Sequence, residues 1–294
     1  MIKIKMYGSR GTMPLSNATH REYGGNTSCV ALDIDGYRLV LDCGTGLVQF
    51  YNDNREYLDS GGRLDILLSH LHLDHIIGLS LFPPVLSPDS DLRIFTRSRN
   101  EQPLVSQIFG IFTPPYWPVK VAEVTKVKAV EIIDESPFTT GNGVVVTPFF
   151  TDKHDFTAAF RIDTGIYVNA GDAGKPGDAG KTGDANNTRK SVVYLLDYEI
   201  RENMNRYDSL IRFCRNADLI IFDAAYLPDD YPAKRGWGHS TYEDGIALAE
   251  ASGCGKMIFS HISQVYTDRE LNSLGKKLDK SRFVIAYDGM ELTI

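Results

Sequence analysis

Three histidines and one aspartate fall within six consecutive residues, at His70, His72, Asp74 and His75. Because residues i and i+2 of an extended chain project to the same side, His70 and His72 can hold one metal ion. If the chain then turns into a helix over residues 76–82, Asp74 and His75 face a second position close by. Two divalent ions about 3.5–4 Å apart can hold a hydroxide and stabilise the attacking and leaving oxygens of a displacement. The cluster therefore predicts a two-metal hydrolase.

The segments around this cluster alternate between strand and helix patterns. Apolar runs and period-two patterns predict strands, and apolar residues at helical spacing predict helices. This alternation indicates an α/β or mixed α+β fold. The predicted strands cover residues 2–7, 28–33, 37–42, 64–69, 144–150, 160–169, 191–196, 217–222, 256–260 and 283–286. The predicted helices cover residues 47–58, 76–82, 199–214, 241–251 and 268–278.

Most of the central strands end on a polar side chain that can bind or catalyse. These residues are Asp42, His70, Asp197, Asp223 and His261. In α/β sheets functional sites assemble at the carboxyl ends of strands. We therefore expect these side chains to meet at one edge of the fold.

Composition sets the broad class of protein. A chain of 294 residues with 43% hydrophobic content can bury one or two cores and therefore suits a globular enzyme. Neither a signal peptide nor an apolar run of membrane-spanning length is visible, so we expect a cytoplasmic protein that does not bind membranes. The net charge of −7 argues against broad binding of nucleic acid, although a local basic patch stays open. The four scattered cysteines are interpreted as buried core residues in a reducing compartment.

A glycine stands at every third position from residue 171 to residue 185. Five triplets are too few for a collagen triple helix, which also needs two partner chains. We interpret about 171–190 as a flexible insertion between two strands of a single domain that spans residues 1–294.

Several motifs together resemble the metallo-β-lactamase fold hydrolases, in the branch that contains ribonuclease Z and related phosphodiesterases. The family signature H-x-H-x-D-H is matched in full at residues 70–75. Residues 39–46 resemble the first family motif, residues 191–198 the strand that delivers a bridging aspartate, and residues 258–261 the strand that delivers the last histidine. The resemblance implies a four-layer αβ/βα sandwich in which helices flank two mixed β-sheets.

The resemblance also implies two divalent metal ions and a set of ligands. Imidazole ligands favour zinc, and the bridging carboxylate also admits manganese or iron. Asp172 competes with Asp197 as the bridging aspartate, and the residues that flank His154 depart from the family pattern. By resemblance, His70, His72 and His154 hold the first ion, Asp74, His75 and His261 hold the second, Asp197 bridges the two, and Asp42 supports the ligands from behind.

The reaction is indicated by residues outside the metal ligands. In the phosphodiesterase branch a histidine just before a helix acts as general acid, and an upstream acidic residue orients it. By resemblance these are His239 and Asp223, with Asp74 assigned to catalysis as well as to metal binding. An alkoxide that leaves a phosphodiester needs a proton, and an imidazole can supply it near neutral pH. Ser240 and Thr241 are candidates for substrate binding, and they also fit the start of a capped helix.

The substrate is predicted less sharply than the reaction. Residues 70–79 resemble class II cyclic-nucleotide phosphodiesterases up to Leu79, and residues 7–12 and 23–28 resemble a bacterial subgroup suspected of the same activity. Arg10 lies among glycine turns that can place a guanidinium near a phosphate, or that simply form a tight loop. We expect a small phosphodiester, with cyclic nucleotides leading and a homodimer left open.

Other activities of the fold stay open as alternatives. A ribonuclease Z-like tRNA 3′ endonuclease is a weaker candidate, because the insertion is short and mixed in charge for a tRNA-binding arm. The six-residue signature alone also admits a thiolesterase or a lactonase. A non-catalytic accessory protein that only binds metal is the alternative from another class.

Overall fold

The computed structural model describes residues 1–151, 156–165 and 189–294. The strands are β1 Ile2–Gly8, β2 Cys29–Ile34, β3 Tyr37–Leu41, β4 Leu64–Leu67, β5 Leu92–Thr96, β6 Lys128–Glu131, β7 Phe138–Thr139, β8 Val145–Phe150, β9 Ala158–Asp163, β10 Ser191–Leu195, β11 Leu219–Asp223, β12 Lys256–Ser260, β13 Phe283–Ile285 and β14 Glu291–Thr293. The α-helices are α1 Leu47–Asp53, α2 Arg55–Asp59, α3 Leu73–Ile76, α4 Leu104–Phe109, α5 Val121–Val124, α6 Tyr207–Cys214, α7 Tyr242–Ser252 and α8 Asp268–Gly275. Short 3₁₀ helices cover Ile77–Leu81, Pro83–Val85, Gly141–Gly143, Ile200–Glu202, Met204–Arg206 and Tyr231–Ala233.

The described strands form two seven-stranded mixed sheets. The first has the order β14-β1-β2-β3-β4-β5-β6, and the second has the order β13-β12-β11-β10-β9-β8-β7. Strands β3 to β6 run parallel in the first sheet, as do β10 to β13 in the second. The carboxyl ends of these parallel strands therefore lie at a common edge of each sheet.

The two sheets pack face to face, and helices cover their outer faces. Alternate residues of one strand show this division: Ile221 of β11 lies in the core between the sheets, whereas Phe222 packs in the core beneath the helices α6 and α7. On the other sheet Leu39 faces inward and Val40 lies with the residues of α1 and α4. This is the predicted four-layer αβ/βα sandwich.

Strands at the centre of the sheets agree with the sequence-based predictions, because both of their faces are covered and most of their residues are apolar. The Asp35-Gly36 turn joins β2 to β3, with φ of +50° and +85° as a two-residue hairpin requires. Strands β5, β6, β7 and β14 were not predicted. Strands β6, β7 and β14 lie at the edges of the sheets, and β5 lies next to an edge strand. Their extended conformation depends on pairing with a neighbouring strand, which the sequence pattern does not show.

Three predicted helices are interrupted. The helix expected over residues 47–58 breaks at Asn54, whose side-chain amide donates to the carbonyl oxygen of Phe50. The helix expected over 199–214 becomes two 3₁₀ turns followed by α6, and the helix expected over 76–82 becomes the end of α3 and a 3₁₀ helix. In each case local side-chain bonds or the neighbouring site set a geometry that the apolar spacing does not encode.

The four cysteines are free thiols and buried, as predicted. Within the described residues, none of the helices is long and apolar enough to cross a membrane. The glycine-rich repeat of residues 171–185 lies outside the described residues, as do His154 and Asp172.

Candidate active site

The candidate site lies where strands of the two sheets end. Asp42 follows β3, Asp197 follows β10 and His261 follows β12, and these three residues have positive φ angles of +57°, +50° and +58°. Residues other than glycine adopt this conformation uncommonly, and such backbone strain is concentrated at functional sites. The sharp turn after each strand directs its polar side chain back across the sheet edge.

Four side-chain atoms from three segments converge on one point, and we call them the His75–His261 cluster: Nε2 of His75, Nε2 of His261, Oδ2 of Asp74 and Oδ2 of Asp197. The His75 nitrogen is 3.2 Å from the His261 nitrogen, 3.3 Å from Asp74 and 3.1 Å from Asp197. The His261 nitrogen is 3.3 Å from each carboxylate oxygen. Ligands about 2.0–2.2 Å from a tetrahedral zinc ion lie roughly 3.3–3.5 Å apart, so the cluster fits such an ion.

The chemistry of these donors also fits a cation. Two carboxylates and two imidazole nitrogens point their lone pairs at a shared centre, which is unfavourable unless positive charge lies between them. Oδ2 of Asp197 is buried without a hydrogen-bond partner. Burial would raise the pKa of Asp74, but the imidazoles of His75 and His261 hold it well below its usual range. The same carboxylates outweigh burial and raise the pKa of His75 and of His261.

A second group of ligand atoms comes from His70, His72 and Asp197, all within 4.8 Å of one another. Nε2 of His70 is buried without a hydrogen-bond partner and lies 3.7 Å from Oδ1 of Asp197. Asp197 therefore directs Oδ2 to the His75–His261 cluster and Oδ1 to this second group. The structure thus places Asp197 between two candidate metal positions.

Asp42 supports the ligands through a buried hydrogen-bond network. Its Oδ2 accepts from Nδ1 of His75 at 2.7 Å and from the hydroxyl of Tyr194 at 2.8 Å. Its Oδ1 accepts from the backbone N–H of Ser69 at 2.7 Å. These bonds turn Nε2 of His75 toward the cluster, because a carboxylate on one ring nitrogen leaves the other free to bind metal.

His239 stands beside the cluster and is paired with Asp223. Nδ1 of His239 donates to Oδ2 of Asp223 at 2.8 Å, and the His239 and His261 rings stack with centroids 4.9 Å apart. Burial alone would lower the pKa of His239, but the carboxylates of Asp223 and Asp197 raise it to about 9. With Nδ1 occupied, Nε2 is the nitrogen available to a group in the adjoining cleft.

Glu199 organises the loop that delivers His239. It is buried, and its carboxylate accepts from the backbone N–H of Gly236 at 2.7 Å and of Gly238 at 2.9 Å, and from the hydroxyl of Tyr231 at 2.8 Å. Sequence reasoning missed this residue, because a glutamate two positions after the candidate bridging Asp197 has no distinctive spacing to a loop more than thirty residues away.

Three predicted substrate contacts are corrected by the structure. Arg10 is 0% exposed, and its guanidinium donates to the carbonyl oxygens of Gly24 at 3.0 Å and Tyr266 at 2.9 Å, so it ties loops together and does not face the cleft. Ser240 is buried and donates to the carbonyl oxygen of Tyr198. Thr241 is buried and caps α7. All three side chains are buried, and none is among the described residues that line the adjoining cleft.

The N-terminal loop contributes groups to the site that sequence reasoning did not find. The backbone N–H of Thr12 donates to Oδ2 of Asp74 at 2.7 Å. Gly11 packs against His261 so closely that a Cβ atom there would lie 2.4 Å from the imidazole. The close approach requires glycine at position 11. This packing accounts for one glycine of the Gly-Ser-Arg-Gly-Thr motif, so phosphate binding is not needed to explain it.

A cleft of about 420 Å³ opens over these residues. The residues that line it include Asp74, Asp197, His239 and His261, together with Trp237. The volume suits a small molecule or the end of a larger one.

Comparison with known proteins agrees with this architecture. The family model described as Beta-lactamase superfamily domain matches residues 37–262, and the chain belongs to that superfamily. Ribonuclease Z of Bradyrhizobium diazoefficiens is 26% identical over 98% of this chain and 99% of its own length. Two solved structures share the fold across nearly the whole chain. A diphosphatase from the PhnP family has a TM-score of 0.68 at 15% identity, and the match covers 100% of this chain and 98% of the diphosphatase chain. The short form of human tRNase Z has a TM-score of 0.64 at 18% identity, and the match covers 99% of both chains.

The superfamily and the site together define a metal-dependent hydrolase with the metallo-β-lactamase fold. The predicted superfamily, fold and enzyme class are confirmed, and the full-length similarity to ribonucleases Z agrees with the predicted branch. The fold implies divalent metal ions, and the described His and Asp side chains provide the donors to bind them.

Proposed function

We propose that this protein is a phosphodiesterase in which His239 protonates the leaving oxygen. The observation that carries the proposal is the 2.8 Å hydrogen bond between His239 and Asp223, placed directly beside the His75–His261 cluster. Asp223 is fully buried, so its negative charge is poorly screened by water and favours the imidazolium form. This pair supplies a positioned proton next to a hydrolytic centre.

The metal pair is proposed to be zinc, held by the residues already described. Asp74, His75 and His261 would hold one ion and His70 and His72 the other, and Asp197 would offer one carboxylate oxygen to each group. His154 is proposed as a further ligand to the second of these ions. When bound, two divalent ions activate water and neutralise charge on the phosphoryl oxygens.

The remaining residues orient the metal ligands and the general acid, and one of them donates the proton. Asp42 orients His75, and Asp223 orients His239 through Nδ1, which leaves Nε2 to donate its proton to the departing oxygen. An alkoxide is a poor leaving group, so this proton matters most for natural esters, and general acid catalysis of this kind contributes about 10²–10⁴-fold. After departure the imidazole is neutral and can regain a proton from water.

Cyclic nucleotides are the first proposed substrates, on the sequence resemblance of residues 7–12, 23–28 and 70–79. A ribonuclease Z-like endonuclease is the second candidate, because relatives of that name align with nearly the whole chain. Cyclic mononucleotides, cyclic dinucleotides and a precursor tRNA, assayed in parallel, separate these substrates.

The general-acid role is tested by the leaving group. Nitrophenolate is a good leaving group and departs with little protonation. The 5′ oxygen of a dinucleotide is a poor leaving group and needs a proton in order to depart. We expect the wild-type protein to hydrolyse both bis-p-nitrophenyl phosphate and uridylyl-3′,5′-uridine, and His239→Ala to lose about 10²-fold or more on the dinucleotide and markedly less on the nitrophenyl ester.

Metal content, measured on the same samples, controls for collapse of the site and should be equal in the two proteins. Equal losses of activity on both esters would show that His239 does not protonate the leaving oxygen. A protein with two metal ions bound and no turnover of any phosphodiester would overturn the proposed function and favour an accessory protein.

A further inference from the structure

Trp237 presents its indole to the cleft instead of burying it. It is 63% exposed, lies two residues before His239, and lines the same cleft. The flanking Gly236 and Gly238 both have positive φ angles, +85° and +96°, which turn the chain sharply on either side of the indole. A large aromatic side chain held out beside a proton donor is poorly explained by packing.

The loop that carries Trp237 is fixed by buried hydrogen bonds. Glu199 binds the backbone N–H groups of both flanking glycines, at 2.7 Å and 2.9 Å. The backbone on both sides of Trp237 is thus held by a buried carboxylate, although the indole itself is largely exposed. A loop that is already fixed loses less conformational entropy when a ligand binds than a mobile loop does.

Lys234 gives the same wall a positive charge. Its Nζ lies 4.2 Å from the centroid of the Trp237 ring. Among the described residues that line the cleft, Lys234 is the only lysine or arginine, whereas Asp74, Asp197 and Asp230 are acidic. An aromatic face combined with a cation is the arrangement by which proteins bind a base and its phosphate without reading sequence.

We propose that Trp237 is the platform on which a nucleobase of the substrate stacks, with Lys234 beside it to contact the nucleotide phosphate. The inference rests on the proposed phosphodiesterase function and narrows the substrate to nucleoside phosphodiesters. The base then lies on the Trp237 side of the cleft while the scissile phosphate faces His239. Lys234 covers one face of the indole, and the base stacks on the other face.

Binding is tested without turnover, because the chain contains only two tryptophans. Trp117→Phe leaves Trp237 as the single fluorophore, and Trp237→Phe leaves Trp117 as the matched control. Adenosine 5′-monophosphate added to the metal-loaded protein should quench the first variant and not the second, and inorganic phosphate should quench neither. Equal quenching by phosphate, or equal quenching in both variants, would overturn the platform.

A kinetic comparison isolates the base. Thymidine 5′-(p-nitrophenyl phosphate) and methyl p-nitrophenyl phosphate share a leaving group and differ in the nucleoside. We expect Trp237→Ala to lower the ratio of their kcat/KM values about tenfold, through KM of the nucleotide ester, and Trp237→Phe to keep most of the ratio. An unchanged ratio in Trp237→Ala would overturn the platform. If the wild-type protein hydrolysed neither ester, the proposed phosphodiesterase function would be overturned instead. The fluorescence titration would then still show whether a nucleobase stacks on Trp237.

Discussion

The Oδ2 atom of Asp223 accepts a hydrogen bond from Nδ1 of His239 at 2.8 Å. The same oxygen accepts the backbone N–H of Asp197 at 2.8 Å, while Oδ1 accepts the backbone N–H of Ala225 at 3.0 Å. One buried carboxylate thus fixes the distance between the candidate proton donor and the aspartate that lies between the two metal positions. A single side chain therefore positions both the His239 imidazole and the backbone of Asp197.

Asp223→Asn should separate orientation from metal binding. An amide has one acceptor oxygen in place of two and no negative charge, so His239 loses its partner or its preferred tautomer. We expect kcat for uridylyl-3′,5′-uridine to fall about 10²-fold while metal content stays unchanged. Steady-state kinetics and metal analysis of one preparation measure both quantities, and full activity on the dinucleotide would show that the pair is not needed.

Asp42→Asn should weaken metal binding. The asparagine places a neutral amide where His75 and Tyr194 now donate to a carboxylate, so His75 becomes a poorer and less fixed ligand. Loss of such a partner costs about 10–100-fold in metal affinity, measured by competition with a chelator. Tyr194→Phe is the matched control, because it removes one bond to Asp42 and keeps the carboxylate, and its loss should be smaller. Equal affinity in Asp42→Asn and the wild type would contradict the role of Asp42.

Thr241→Ala should cost stability and spare substrate binding. Thr241 and Asp244 form a reciprocal capping box at the start of α7, and Thr267 and Glu270 form one at α8. Loss of the cap costs about 1 kcal/mol of unfolding free energy. Thr267→Ala should therefore give a similar loss in chemical denaturation. A rise in KM without a loss of stability would restore Thr241 as a substrate contact.

Asp65 should make stability depend on acidic pH. It is buried on β4, and its carboxylate accepts from Nε of Arg93 at 2.7 Å and from the hydroxyl of Tyr37 at 2.5 Å. Burial would raise the pKa of Asp65, but these partners outweigh it and lower the pKa in the folded state. The stabilisation is therefore present above the unfolded pKa of about 4 and is lost as the pH falls through the lower folded value.

The comparison of wild type with Asp65→Asn measures this contribution. At neutral pH the variant leaves Arg93 without its anion and should lose about 3 kcal/mol of unfolding free energy. The difference between the two proteins should shrink as the pH is lowered below about 4. A difference that is constant between pH 7 and pH 3 would assign the effect to packing rather than charge.

The central elements and most of the candidate ligands could be predicted because their signals are local. His70 to His75 are neighbours in sequence, and β10, β11 and β12 are continuous apolar runs that end on polar residues. The geometry adds what spacing cannot, since His261 lies 186 positions after His75 and their Nε2 atoms are 3.2 Å apart.

Two of the residues that organise the site from behind, Glu199 and Asp288, were not predictable from the sequence, unlike Asp42 and Asp223. Glu199 binds loop N–H groups more than thirty positions away, and Asp288 accepts from the backbone of Ser9, Gly25 and Asn26 although it lies far along the chain. A single buried carboxylate leaves no periodic pattern in a sequence. For Arg10 the sequence left a phosphate contact and a tight loop open, and the structure agrees with the tight loop. The sequence could not decide, because a glycine-rich loop with an arginine has the same pattern whether the guanidinium binds phosphate or carbonyl oxygens.

Strand β14 pairs with β1, so that Thr293 lies opposite Lys3 at the edge of the first sheet. The two paired strands are therefore separated by nearly three hundred positions of sequence. Contacts of such long sequence separation slow folding. Asp288 also accepts the backbone N–H groups of Ser9 and Gly25, which flank the loop that brings Thr12 to Asp74, so the surroundings of the H-x-H-x-D-H signature are completed by a residue more than two hundred positions further along the chain.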